Sequence, residues 1–389
     1  LYFYFDQTAQ PAAWRLVYIA KHVRRGSSEG VPDLVDYGVD AHSGEIVARL
    51  PRVKSVAWQA AEVKATDGLG NVRRIRVQRD ESGNRHRLRD DCRNLETSDF
   101  GGKDLQARFG ALPGDPVENP PEWDGGVISA HANSQEVADY LVTVLRRNGL
   151  DDRGGPYFST VNCTNSDQPS ANPGEWRNAA WVGTQMVYGQ RLVNGRLRSY
   201  AVALDVAGHE LVHGLTDHTA DLVYQFESGA LNESYSDILG VVISNKDKPD
   251  IGAWNWQLGE ELQGTGVPLR DLSDPTAFGQ PDHMDDFKVL PATKDHGGVH
   301  TNSGIHNKAA FNLITSKDAQ GELLFQPEQC AQLFFLALTQ RLSRTSGFSD
   351  SRRGVELSAR TLFSSEPSDV RAAKLAAIAA AFDKVGIDA

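Results

Sequence analysis

Ala207-Gly208-His209-Glu210-Leu211-Val212-His213-Gly214 decides how this chain is read, together with Glu233, twenty residues beyond His213. On a helix, His209 and His213 stand at i and i+4, so both imidazoles leave one face about one turn apart and can meet a single cation. Glu210 is rotated by about 100° from His209, near enough to reach a water on that cation but not placed as a ligand. Two neutral imidazoles and one carboxylate leave a fourth position open on zinc, as a catalytic site requires. A bare H-E-x-x-H is short enough to arise by chance, and its plain alternative is a helix face that happens to carry two histidines.

The surroundings shift the balance toward chemistry. Apolar Val206, Leu211, Val212 and Leu215 enclose the motif, as expected of a buried helix. Glu227 to Gly240 reads as a second helix on which Glu233 and Asp237 are again i and i+4. One of these carboxylates can bind the metal while the other accepts a hydrogen bond from a ligand histidine. Further on, Asp295-His296-Gly297-Gly298-Val299-His300 concentrates Gly and His before a helix. Small residues there let backbones approach closely, and Asp295 can orient His300 so that it offers an N–H to a developing oxyanion. Asn178 is either an ordinary turn residue or part of an exposed edge strand that pairs with an extended peptide. Arg270 stands in a long irregular region, as a surface residue or as part of a cleft wall.

At 389 residues the chain can bury a sizeable core, and its length suggests two to three domains. A formal charge of −11 argues against a nucleic-acid or anionic-membrane partner. No run of eighteen apolar residues suggests a membrane-spanning helix. Leu1 is preceded by neither Met nor a charged-then-apolar leader, so any secretion signal is expected outside this chain. Cys92, Cys163 and Cys330 allow at most one internal disulfide and are expected as buried thiols.

Several elements follow from pattern. Aromatic and β-branched runs at 1–5 and 14–23, and a hairpin turning at Asp40 to Glu45, suggest a small β-rich unit over 1–57. Ser134 is expected to cap a helix that Gly149 stops. Strands are expected at 72–77, 157–163, 178–181 and 185–189, with a polar loop at 164–175. From 303 onward the chain reads as helical, with Ser349 and Ser368 as caps.

With these residues assembled, the chain resembles the thermolysin-like neutral metallopeptidases. The resemblance is clear over 130–389 and weaker over 58–130. Residues 1–57 resemble the small domain that ends the proregion of such enzymes, whose hairpin carries a similar Val39-Asp40-Ala41-His42-Ser43-Gly44-Glu45 run. The nineteen residues between His213 and Glu233 equal the family spacing, and a spacing one shorter belongs to a zinc aminopeptidase family.

The resemblance implies an α+β fold: a small β-rich pro-domain (1–57), a β-rich lobe (58–201), and a zinc-site helix with a helical lobe (202–389). It implies zinc on His209, His213 and Glu233, with Glu210 as general base. Asp237 would orient His209, and Asn232 would support His213. Tyr224 and His300, the latter with Asp295, would stabilise the oxyanion. Asn178 and Ala179 would hold substrate backbone, and Arg270 a substrate carbonyl. Val206, Leu258, Leu262 and Leu269 would wall an apolar pocket. The implied activity is a secreted, monomeric endopeptidase cutting peptides or proteins on the amino side of bulky hydrophobic residues, with its pro-domain acting in cis and latency as one state. A non-catalytic relative and a zinc aminopeptidase are the alternatives. The family's paired calcium site looks eroded. Asp205 and Glu260 remain, but Ser244, Asn255 and Gln257 stand at the other matching positions, so at most one weak calcium is expected.

Overall fold

The computed structural model describes residues 1–6, 11–25, 33–51, 58–108, 111–262 and 266–389. The chain divides into two units, Leu1–Gln59 and Ala60–Ala389. The junction read at residue 57 lies outside the described residues.

The first unit is an antiparallel meander of β1 (Tyr2–Asp6), β2 (Ala13–Arg25), β3 (Asp33–Asp40) and β4 (Ile46–Pro51). The expected hairpin joins β3 to β4. Its turn is built by Asp40, whose carboxylate accepts from the amides of His42 and Ser43 at 2.9 and 3.0 Å. Arg15 then ties Asp40 to Asp6, at 3.2 and 2.9 Å.

The division falls within β5 (Trp58–Thr66), which with β6 (Val72–Asp80) belongs to a four-stranded sheet. A larger sheet contains β7 (Leu95–Asp99), β8 (Tyr157–Val161), β9 (Trp176–Trp181) and β10 (Met186–Val193), in the spatial order β7-β8-β10-β9. β9 pairs antiparallel with β10 alone, so its other edge is open among the described residues. That open edge borders the helices that follow.

The longer helices are α1 (Gly125–Thr143), α2 (Leu204–Asp217), α3 (Phe226–Ser244), α4 (Asp295–Ile314), α5 (Pro327–Gln340), α6 (Phe348–Leu362) and α7 (Ser368–Asp383). Several boundaries differ from the sequence expectation. α1 starts at the cap Asp124, whose side chain accepts from the Gly126 amide, rather than at Ser134. Ser134 is buried mid-helix and shares a hydrogen bond of 3.0 Å with Ser159. The early turns of α1 were illegible because the helix is buried on most sides. Polar His131 and Asn133 sit inside it with their partners supplied, at Thr97 (3.0 Å) and the Ala201 carbonyl (2.8 Å), so no apolar stripe marks them. The helix ends at Thr143, and Gly149 instead turns the following loop with φ of 81°. The caps of α6 and α7 are Gly347 and Pro367 rather than Ser349 and Ser368. At α6 it is Asp350 that closes the turn, accepting from the Gly347 amide at 2.9 Å. The cysteines are all unpaired, and Cys92 is exposed rather than buried.

α2 and α3 cross closely at two glycines. A Cβ on Gly240 would stand 2.7 Å from the Asp205 carbonyl oxygen, and one on Gly208 would stand 3.2 Å from Gly240 Cα. No larger residue allows that approach without a shift of backbone. Ala207, Leu211, Ile238 and Leu239 are fully buried about it. The crossing brings the carboxylates of α3 onto the histidine face of α2.

Candidate functional site

His209 and His213 leave α2 on one face with their Nε2 atoms 3.0 Å apart and their rings nearly perpendicular, at 89°. Two nitrogens so close cannot both carry a proton, so at least one of them turns a lone pair toward the space between the rings. Glu233 of α3 completes the set, with Oε2 3.5 Å from His209 Nε2 and Oε1 3.4 Å from His213 Nε2. Glu233 is buried, and its Oε2 has no hydrogen-bond partner among the described residues. An orphaned buried carboxylate oxygen beside two imidazole lone pairs fits zinc, whose usual donors these are.

A second set of side chains holds the first. Asp237 Oδ1 lies 2.8 Å from His209 Nδ1 and accepts from Arg270 Nη2 at 2.7 Å, while its Oδ2 accepts from Asn307 Nδ2 at 2.8 Å. Asn232 Oδ1 lies 2.7 Å from His213 Nδ1. An oxygen beside each Nδ1 favours the tautomer with its proton there, which leaves Nε2 free to bind.

Burial works against the charge of these groups, and their neighbours overcome it. Burial would raise the Glu233 carboxyl, but the charges of His300, His213, His209 and Arg270 hold it at about 2. Asp237 is likewise pulled well below the usual carboxylate range, chiefly by Arg270 and His209 against burial. Arg270, largely covered but open to the cleft, is raised by Asp237 and Glu233 against the cost of burial. Asp237 lifts His209 against its own burial in the same way.

Glu210 points to the end of the edge strand, where its Oε2 accepts from the Trp181 amide at 3.0 Å. Tyr224 donates its hydroxyl to Glu233 Oε1 and stands 3.1 Å from His300 Nε2. Burial and Glu233 push the Tyr224 phenol above its ordinary pKa, keeping it a donor. His300 Nδ1 lies 2.6 Å from Asp295 Oδ1. The loop that delivers His300 is left-handed at four consecutive residues, Asp295, His296, Gly297 and Gly298, with φ of 51°, 46°, 89° and 93°. At Gly297 a Cβ would overlap the Phe226 ring, so the approach needs glycine for space as well as for φ. A non-glycine pair held at positive φ beside a site stores local strain there.

These residues open on one cleft of about 540 Å³, lined among others by Asn178, Ala179, Val206, Leu258, Leu269 and Arg270. Leu262 is the exception. It is buried and takes no part in the cleft wall, because it packs behind Gly259 beside Leu269. Arg270 enters the cleft already paired with Asp237, which sequence reading had not joined to it. Trp181, Asp217 and His296 also line the cleft and were missed. Asp217 accepts from Trp181 Nε1 at 2.7 Å, and the His296 ring meets the Tyr224 ring at 5.5 Å. Only the proximity of Trp181 to Asn178 and of His296 to His300 in sequence hinted at them.

Behind α2, Asp205 gathers with Glu260 and with Glu261, the last not foreseen. Burial, then Glu261 and Glu260, raise the Asp205 carboxyl to about 8. Of the neutral residues at the other expected positions, Gln257 donates to Asp271 at 3.3 Å and Ser244 to the Val241 carbonyl at 2.9 Å, whereas Asn255 donates to Glu260 itself.

Comparison with known proteins agrees with this geometry. Residues 64–217 match the thermolysin metallopeptidase catalytic domain, and residues 220–387 match its alpha-helical domain. The chain is 34% identical to a bacillolysin of Brevibacillus brevis over 95% of its own length and 65% of that protein's. It is 35% identical to the neutral protease NprE of Bacillus pumilus, over 73% of this chain and 86% of that protein. The chain therefore spans a little under two thirds of the bacillolysin it matches. Among solved structures, the precursor of protealysin, a metalloproteinase from Serratia proteamaculans, superposes with a TM-score of 0.61 at 28% identity, over 75% of this chain and 87% of that one. The two lobes, the α2–α3 crossing and these matches together place the chain: it belongs to the thermolysin family of metallopeptidases.

Proposed function

We propose that the protein is a zinc-dependent endopeptidase that cuts on the amino side of bulky hydrophobic residues. The observation that carries this reading is the convergence of His209 Nε2, His213 Nε2 and the partnerless Glu233 Oε2 beneath Glu210, Tyr224 and His300. Zinc held by the three ligands supplies a Lewis acid that polarises a carbonyl and brings the pKa of water toward about 7. Glu210, outside the ligand set, takes the proton of the attacking water and passes it to the leaving amine. Tyr224 and His300 donate to the developing negative charge on the carbonyl oxygen, Tyr224 by turning its hydroxyl from Glu233 and His300 from Nε2 while Asp295 holds Nδ1. The open edge of β9 pairs with substrate backbone through Asn178 and Ala179, and Arg270 receives a substrate carbonyl.

Val206, Leu258 and Leu269 form the apolar wall beside Arg270. Burying one large aliphatic side chain against it contributes about 1.5–3 kcal/mol, enough to set the position cut. Peptides blocked at both ends should therefore be cleaved internally before Leu, Ile or Phe, with products read by mass spectrometry. Cleavage that ignores the following side chain would refute the pocket assignment. The non-catalytic alternative loses support because Glu210, Tyr224 and His300 are all present and face one cleft. An aminopeptidase needs a further carboxylate for the substrate amine, and the candidate in the cleft, Asp217, is committed to Trp181.

At Asp205, Glu260 and Glu261 we read at most one weak calcium site, since the other matching positions, Ser244, Asn255 and Gln257, carry no formal charge. Calorimetric titration finding two tightly held calcium ions would contradict it. We read the first unit as a pro-domain acting in cis, in line with the precursor named for the Serratia protein. If it inhibits, limited proteolysis between the units should raise casein hydrolysis; an unchanged rate removes the inhibitory role. The enzyme is further read as monomeric, and as secreted in line with the extracellular elastase of Staphylococcus epidermidis that it resembles at 34% identity. Sedimentation as a dimer, or retention inside the producing cell, would count against these two readings.

A further inference from the structure

The loop at 164–175 reaches back onto the open edge strand β9 through one side chain. Gln168 Oε1 accepts from Trp176 Nε1 at 2.8 Å and from Asn178 Nδ2 at 3.2 Å. Trp176 is buried, so its indole N–H is a fixed donor that fixes the Gln168 carbonyl in turn. Because that oxygen only accepts, it selects the nitrogen end of the Asn178 carboxamide. The other end is fixed as well, for Asn178 Oδ1 accepts from the Ala179 amide at 3.0 Å. One N–H of the Asn178 amide then remains uncommitted among the described residues, on a side chain that lines the cleft.

The loop can impose this because it is itself anchored. Ser166 donates its amide to Asp104 at 3.0 Å, Gln106 donates to Asn165 at 3.2 Å, and Asn172 donates to Glu175 at 2.8 Å. Glu175 is buried, and its carboxylate also accepts from the Leu192 amide of β10, so the loop is fastened to the neighbouring strand. Gln168 itself is exposed, and its tie to the core is the bond from the buried Trp176 indole.

We propose that Gln168 is a positioning residue for substrate, holding the Asn178 amide in the orientation that receives the peptide backbone. This rests on the endopeptidase reading given above. Without Gln168, the Asn178 carboxamide keeps only its bond from the Ala179 amide, and part of its ordering is deferred to the moment of binding, which weakens ground-state and transition-state binding alike.

The test compares the full chain loaded with zinc, Gln168→Leu and Gln168→Glu on a doubly blocked extended peptide. Gln168→Leu should raise KM about three- to tenfold while kcat stays within about twofold. Gln168→Glu keeps an acceptor oxygen for both donors and should restore KM. An unchanged KM in Gln168→Leu, or equal losses in both variants, overturns the proposal. A second readout needs no turnover: hydrogen exchange of the Trp176 indole N–H should accelerate in Gln168→Leu and not in Gln168→Glu. Inactive wild-type protein would sink the endopeptidase reading alone, whereas unaltered exchange in Gln168→Leu sinks the role of Gln168 whether or not the chain is active.

Discussion

Replacing Glu210 by Gln leaves one zinc bound per chain and lowers kcat by about 10²- to 10⁴-fold. The two effects separate because Glu210 lies outside the ligand set. Its carboxylate meets the Trp181 amide at 3.0 Å, whereas the metal-facing atoms belong to His209, His213 and Glu233. Glutamine still accepts from Trp181 through its carbonyl oxygen, so the end of β9 stays where it is. What it cannot do is take a proton from water. Steady-state rates on a blocked peptide, with metal content measured on the same samples, check this directly. Turnover within about tenfold of the parent would remove Glu210 as the base.

Asp237→Ala should act on the metal and on the fold together. Its carboxylate is the meeting point of His209 Nδ1, Arg270 Nη2 and Asn307 Nδ2, all within 2.8 Å. Loss of the partner of a ligand histidine typically weakens metal affinity about 10- to 100-fold. Leaving Arg270 enclosed without this partner adds a destabilisation of about 3–5 kcal/mol. A zinc competition assay and urea unfolding measure the two parts. The double variant Asp237→Ala/Arg270→Met should recover part of the stability but none of the affinity, because the stranded cation is removed while His209 stays unsupported. Equal zinc affinity in Asp237→Ala would show that the backbone of α2 alone orients His209.

The centre of the site was legible because it is written in helical periodicity. His209 and His213 are one turn apart on any helix, and Glu233 and Asp237 repeat that spacing on the next. The strands expected at 157–163 and 185–189 were legible as short runs bounded by turns, though they run over 157–161 and 186–193. Features produced by tertiary contact were not legible. α1 hides its first turns because buried His131 and Asn133 find partners on other elements. Arg270 reads as a lone cation until folding places it on Asp237, thirty-three residues away in sequence. Leu262 has the same apolar character as Leu269, and only packing separates the buried residue from the one that lines the cleft. Glu261 adjoins Glu260, but nothing in a pair of neighbouring acids says that both turn toward Asp205.

The central claim is that one zinc on His209, His213 and Glu233 is required for cutting internal peptide bonds. Its most direct test is hydrolysis of a doubly blocked peptide by metal-stripped protein during stepwise return of zinc. Activity should be absent at the start and rise in proportion to bound zinc until one ion per chain is reached. Activity that persists without metal, or that appears only on peptides with a free amino terminus, would contradict the account.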